Sequence, residues 1–344
     1  MNYPGLICLL FVILSHLVTA QSTKTPTRRL FAKDDPLKIS IEMDVKELLK
    51  TKYKDEYHPA KFTLYLHEDS IIEKTIKVKT RGNSRKSICY YPPLKLNFKH
   101  VDFGSASMNT LKKLKIVTVC KEADTYEQYI LKEYLVYKMY NLLTDYSFNV
   151  RLLDVTQKDS QGKKDPLRRY GFVIEEIDQL AERNNALEIE TPKIHPDQTN
   201  KEIANLLAVF QFMIGNTDWS IPGLHNIKLI KSKNPTEFAP IAIPYDFDYS
   251  GFVNTTYAIP DPALGIENVR VRDFRGFCRT LEEFQKTMIP FLENKEEIFN
   301  LVNEFEPLSE RNKKECVAYL QEFYKIIENE NLIKYNFVNN CRTN

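Results

Sequence analysis

Hydrophobic and polar residues alternate along the first third of the chain, the two-residue period of a strand with one buried face. Leu37, Ile39, Ile41 and Met43 fall on one side of a strand at 37–43, and Phe62, Leu64 and Leu66 on one side of another at 60–67. A third strand is predicted at 71–80, and the polar gap 67–70 reads as its hairpin turn. Residues 45–49 suggest a helical turn. Arg81-Gly82-Asn83-Ser84 is a turn, Pro92-Pro93 resets the chain, and strands are predicted at 94–98 and 114–119. The period then changes. From 126 to 143, apolar residues recur at helical spacing, with Tyr126, Ile130, Tyr134 and Tyr137 on one stripe and Leu131, Leu135 and Met139 on another. A strand at 150–155, a polar loop at 156–169 and a returning strand at 170–177 complete the first half.

Beyond the polar stretch 178–200 the pattern is mainly helical. Residues 203–214 form a helix apolar on most sides, followed by short apolar strands at 227–230 and 238–243. Three helices are predicted at 281–291, 295–305 and 309–329, with Pro290 and Pro307 near their limits. The expected organisation is therefore α+β and bilobal. A lobe at 37–178 holds an antiparallel sheet and one long helix, and a mainly helical lobe covers 179–344. That is the plan of a protein-kinase-like fold.

Composition adds a compartment. The 344 residues are 43% hydrophobic, enough for more than one core. The formal charge is +2 with no long basic stripe, which argues against nucleic acid as an obligate partner. Residues 6–14 are apolar and Val18-Thr19-Ala20 fits a cleavage site before Gln21, so 1–20 read as a signal peptide and 21–36 as a flexible leader. The apolar run is too short to span a bilayer comfortably, and no later stretch reaches about 18 apolar residues. The mature chain is expected to be exported, without a membrane span. Outside the signal lie Cys89, Cys120, Cys278, Cys316 and Cys341, enough for two disulfides and one thiol. Lobe membership suggests Cys89 with Cys120, and Cys278 with Cys316 or Cys341. With no C-x-x-C pair, a zinc site is not expected.

The candidate chemistry lies at 214–251. Asp218 follows the apolar helix, Asn226 precedes the strand at 227–230, and Asp246 follows the strand at 238–243. A carboxylate, an amide and a carboxylate, each at the mouth of a buried element, suit Mg²⁺ and a triphosphate. The first orients or deprotonates a hydroxyl, and the others are hard oxygen ligands. Asp248 competes with Asp246, because strand alternation puts both on one face. Lys95 is either an edge residue with its stem on apolar surface or a phosphate ligand. Glu133, on an apolar helix, wants a cation, and Lys95 is available. Trp219 reads as a packing anchor.

The chain resembles the CotH family of kinase-like proteins (spore coat protein H and its secreted relatives) over residues 60–250. The carrying stretches are Arg81-Gly82-Asn83-Ser84, Pro93-Leu94-Lys95-Leu96-Asn97-Phe98, Leu131-Lys132-Glu133-Tyr134-Leu135-Val136-Tyr137, Tyr170-Gly171-Phe172-Val173-Ile174-Glu175-Glu176-Ile177-Asp178, Asn216-Thr217-Asp218-Trp219 with His225-Asn226, and Tyr245-Asp246-Phe247-Asp248. The resemblance implies ATP- and Mg²⁺- (or Mn²⁺-) dependent phosphorylation of Ser or Thr in extracytoplasmic protein substrates. It implies that Lys95 holds the ATP phosphates, that Glu133 locks it, and that Asp218 is catalytic. Asn226 and Asp246, or Asp248, would bind metal. Arg81 would meet a phosphate, and Glu175 and Glu176 would lie near the adenine. Two features depart from kinases. There is no G-x-G-x-x-G loop, and Asp218 and Asn226 are eight residues apart where the kinase catalytic loop has about five. Arg85, Lys86 and Cys89 occupy a segment expected to shape the nucleotide site differently, and Lys86 is a rival to Lys95. Nucleotidyl transfer and a non-catalytic binding module are the competing functions.

Overall fold

A computed structural model describes residues 30–67, 70–82, 84–104, 109 and 111–343. The expected signal at 1–20, residues 21–29 of the leader, and the middle of the 67–70 turn lie outside the described residues.

The alternation at the start of the chain becomes the wall of a barrel. Strand β1 (Leu37–Met43) is followed by the short helix α1 (Val45–Lys50) and by strands β2 (His58–His67) and β3 (Ser70–Thr80). Helix α2 (Ser84–Ile88), strands β4 (Leu94–Asn97) and β5 (Lys113–Val117), and the long helix α3 (Asp124–Leu143) come next. Strands β6 (Val150–Asp159) and β7 (Leu167–Ile174) complete the set. The strands close in the order β1-β2-β3-β4-β5-β7-β6. All neighbours are antiparallel except β1 and β6, which run parallel from Leu37 opposite Leu153 to Met43 opposite Asp159.

That parallel pairing corrects the expected architecture. The chain forms a closed, mixed seven-stranded barrel with helices, not a bilobal kinase-like fold with an antiparallel-sheet lobe. β1 uses both edges, one for β2 and one for β6, so those edges are not left open. Ile41, Val78, Leu96, Ile116, Leu153 and Val173 pack in the barrel's core cluster.

The opposite faces of β6 and β7 are buried too. Leu152 and Phe172 belong to a second, larger cluster that contains most of α3. This cluster continues through α4 (Ile177–Arg183), β8 (Ala186–Ile189) and α5 (Lys201–Ile214). It also takes in the sheet that β8 forms with β9 (Ile227–Ser232) and β10 (Ile241–Pro244), in the order β10-β9-β8. Helices α6 (Leu281–Glu293), α7 (Lys295–Asn303), α8 (Glu310–Ile327) and α9 (Glu330–Ile333) cover it. Pro290 lies inside α6 and does not end it. The strand expected at 238–243 shrinks to β10, and Phe238 is exposed. The stretch 178–200, read as polar connection, contains α4 and β8.

Disulfides join Cys89 to Cys120 and Cys278 to Cys341, and Cys316 is a buried free thiol. The first pairing is the one lobe membership suggested, and the second is one of its two options. Two disulfides fit an extracellular protein. Among the described residues no helix is long and apolar enough to cross a membrane.

Candidate functional site

Helix α5 ends on Gly215, whose φ of 64° is the left-handed conformation of a helix C-cap. A Cβ there would also lie 2.0 Å from the Tyr319 hydroxyl. Gly215→Ala is therefore expected to destabilise the protein by about 2 kcal/mol or more, read as a lower urea midpoint. An unchanged midpoint would mean that the cap is not tight. Past the cap, buried Asn216 donates to the Gln211 side-chain oxygen at 3.0 Å and accepts the Asp218 N–H at 3.0 Å. The start of the site is thus anchored to the last turn of α5. The Gly251 and Phe252 amides bond to the carbonyls of Gly215 and Ile214, so the chain after Asp246 is tied to the same helix end.

The eight-residue spacing between Asp218 and Asn226 is a closed loop. Ser220 and His225 exchange backbone hydrogen bonds at 2.9 and 3.0 Å, bringing the chain back on itself. As a result the Asp218 carboxylate meets His225 Nε2 at 2.7 Å through Oδ1 and accepts Asn226 Nδ2 at 3.0 Å on Oδ2. Asn226 Nδ2 also donates to the Asp218 carbonyl at 2.7 Å. With its amide nitrogen committed, the Asn226 side-chain oxygen accepts no hydrogen bond among the described residues. The Tyr245 N–H donates to the Asn226 carbonyl, which places Asp246 one residue away. Asn226 and Asp246 both adopt left-handed backbones, at φ of 52° and 64°. Non-glycine residues hold that conformation at a cost and concentrate at functional sites.

The two competing acids differ sharply. Asp248 is buried, and its carboxylate accepts Arg85 Nε at 2.8 Å and the Tyr257 hydroxyl at 3.0 Å. It is committed to a cation. The Asp246 carboxylate has no hydrogen bond or ion pair among the described residues. Burial and the charge of Asp248 raise its pKa, against Arg85 and Arg81, with Asp218 adding to the rise.

The expected Lys95–Glu133 pair does not form. Arg85 Nη2 reaches Glu133 at 2.5 Å, so Arg85 bridges Glu133 on α3 and Asp248. All three side chains are more than nine-tenths buried. Burial, opposed by Arg85 and reinforced by Asp248 and Asp246, pushes the Glu133 carboxyl up to about 7. Lys95 instead stands between Lys79 and Lys115 across β3, β4 and β5. Its strand neighbours Leu94 and Leu96 are buried in the barrel cluster, so alternation turns Lys95 away from it. Lys79 pairs with Asp55 and Lys115 with Glu176. Lys95 has no ion pair among the described residues, and burial lowers its pKa, opposed by the charge of Glu176 and reinforced by those of Lys115, Lys113 and Lys79. Glu176, at the start of α4, is thus held by Lys115, while Glu175 pairs with Arg183. Arg81 is half-buried, and its charge acts on Asp246 and Tyr245.

The expected residues therefore divide. Asp218, Asn226 and Asp246 are brought together, with the charge of Arg81 acting on Asp246. Asp248 and Glu133 are bound behind them by Arg85. Lys95 and Glu176 form a separate cluster of charges with Lys115. From sequence His225 was given no role of its own, and Arg85 only a place in the segment with Lys86 and Cys89 expected to shape the nucleotide site. His225 had a visible cue in standing beside Asn226. Arg85 gave no periodic signal, because its helix has a single buried residue.

A cavity of about 410 Å³ opens beside Asp218 and His225, walled by Trp219, Tyr249, Ile259 and Arg275. It offers an acceptor side chain access to the Asp218 carboxylate. Among the described residues no group of three or more His, Cys, Asp and Glu side chains could hold a metal ion. Asp246 and the Asn226 oxygen supply one carboxylate and one amide. That suits Mg²⁺ shared with substrate phosphates, not an all-protein cage. The half-buried Asp246 carboxylate, without a partner among the described residues, fits such an ion. No protein-family model, no curated protein and no solved structure matches the chain.

Proposed function

We propose that this chain is an exported, ATP-dependent phosphotransferase acting on Ser or Thr of extracytoplasmic proteins, the activity its CotH resemblance implies. The observation that carries the reading is the cluster of Asp218, His225, Asn226 and Asp246. It joins an oriented carboxylate open to a cavity with a half-buried carboxylate that lacks a partner among the described residues. Asp218, held by His225 and Asn226, accepts the proton of the acceptor hydroxyl as that oxygen becomes the nucleophile. Asp246 and the Asn226 oxygen would hold Mg²⁺ or Mn²⁺, which when bound neutralises charge on the transferred phosphoryl group. Arg81 adds a positive charge that acts on Asp246. Export is supported by the signal-like segment at 1–20 and by the two disulfides.

A second reading, a binding module without catalysis, is favoured by one observation. Glu133 is taken by Arg85, so no lysine is locked for the phosphates.

The test incubates the mature protein with ATP labelled at the α- or the γ-phosphate, with Mg²⁺ or Mn²⁺ and a mixed protein substrate. Transfer of γ-label is expected, and Asp218→Ala should reduce it about 10²- to 10⁴-fold. Transfer of α-label would replace phosphoryl with nucleotidyl transfer. No transfer of either label, together with no thermal shift on adding Mg-ATP, would leave the binding module.

A further inference from the structure

Behind Trp219 lies a second cavity, of about 180 Å³, between α5, the loop after Asp218 and the segment 275–279. Arg275, Arg279 and Arg342 line it, and no carboxylate does. Trp219 Nε1, Arg275 Nε and Arg279 Nε are buried N–H donors without a hydrogen-bond partner among the described residues. Buried donors are almost always satisfied, so three unpartnered ones in residues of one lining mark a wall short of acceptors.

The charges are unbalanced as well. Arg279 pairs with Asp197 and donates to the Cys278 carbonyl at 2.9 Å. Arg275 donates to the Thr217 carbonyl at 2.5 Å. The Arg342 guanidinium has no hydrogen bond or ion pair among the described residues. Burial and the charge of Arg342 lower the Arg275 pKa, against Asp273, Asp261 and Asp218. One ion pair thus serves three guanidinium groups.

The covalent structure builds this arrangement. The Cys278–Cys341 disulfide sits between Phe277 and Arg279 on one side and directly before Arg342 on the other. Backbone bonds from the Arg342 N–H to the Gly276 carbonyl and from the Cys278 N–H to the Arg342 carbonyl, at 2.9 and 3.0 Å, fix the register. The chain end is stapled so that a third arginine joins the other two. Phe277 and Ile221 supply an apolar wall.

We propose that this cavity binds a small organic oxyanion, a phosphate monoester or a carboxylate on a short apolar body. Guanidinium forks match both headgroups, and the Arg342 guanidinium, without a partner among the described residues, supplies charge-assisted hydrogen bonds. The inference does not depend on phosphoryl transfer at Asp218.

Calorimetric titration of the full chain, disulfides intact, with phenyl phosphate, benzoate and inorganic phosphate at constant ionic strength tests it. Binding of phenyl phosphate or benzoate is expected, tighter than inorganic phosphate. The tighter of the two names the headgroup. Arg342→Ala should weaken it about tenfold or more, the scale of one charge-assisted hydrogen bond, and Arg342→Lys by less. Arg342 has no bond to lose among the described residues, so its thermal midpoint should stay near that of the parent protein. Reduction of the disulfide should weaken binding as Arg342→Ala does. No binding of either organic anion, or equal affinity in the parent and Arg342→Ala, overturns the proposal.

Discussion

Arg85→Ala is expected to destabilise the protein by about 3–5 kcal/mol, the scale of a buried ion pair broken from one side. Arg85 is the ion-pair partner of two buried carboxylates, Glu133 and Asp248, which come from distant parts of the chain. Its removal leaves both acids desolvated beside Asp246, whose charge already acts on Glu133. Lysine should recover less than half of the loss, because a point charge cannot fork between two carboxylates as guanidinium does. The pH dependence gives a second readout. The Glu133 carboxyl is pushed from its ordinary 4.5 up to about 7, so the folded state holds this proton to higher pH than the unfolded chain. Its contribution to stability is fully present below about 4.5 and is lost as pH rises towards 7. Without Arg85, which lowers that pKa, the decline should continue beyond pH 7. Urea melts of both proteins at about pH 5, 7 and 8.5 would show a gap that widens with pH. Equal midpoints across that range would remove Arg85 from its place as the counter-ion of the site.

Arg85 also illustrates what the sequence could and could not reveal. Period-two and helical patterns located most elements, including α3, α5 and the strands of the barrel, because burial of one face is written locally. Closure of the barrel is not local. β1 and β6 lie more than a hundred residues apart, and nothing in either marks them as parallel neighbours. An open antiparallel sheet was the simpler reading of the same alternation. Within the site, Asp218, Asn226 and Asp246 were legible because each stands where an apolar run stops. Lys95 was read as the partner of Glu133 because it was the lysine inside an apolar strand. Alternation, however, turns it away from the buried face with Leu94 and Leu96, towards Lys115 and Lys79. The true partner sits on a five-residue helix, too short for any periodic signal. His225 acquires its contact only because Ser220 and His225 pair to close the loop.

Asp246→Asn is expected to stabilise the fold and abolish Mg-dependent ATP binding. In the protein alone the half-buried Asp246 carboxylate is partly desolvated, lies near Asp248 and Asp218, and has no hydrogen bond to offset either cost among the described residues. Asparagine removes the charge, keeps the shape and tolerates φ of 64° at least as well as aspartate. A gain of about 1–2 kcal/mol is in the range seen when a strained functional group is neutralised. The folded-state pKa of Asp246 is raised, so the parent protein loses this contribution as pH climbs above the ordinary carboxylate range. The gain of the variant should therefore grow with pH. Asp248→Asn should do the opposite. It weakens an Arg85 pair and the Tyr257 hydrogen bond, and is expected to cost about 2 kcal/mol. Opposite signs would assign the metal-facing role to Asp246 and the structural role to Asp248, a distinction strand alternation alone left open. Thermal melts and calorimetric Mg-ATP titrations of both variants decide it. Normal Mg-ATP binding by Asp246→Asn, with no gain in melting temperature, would transfer the ligand role to Asp248 and require Arg85 to release it.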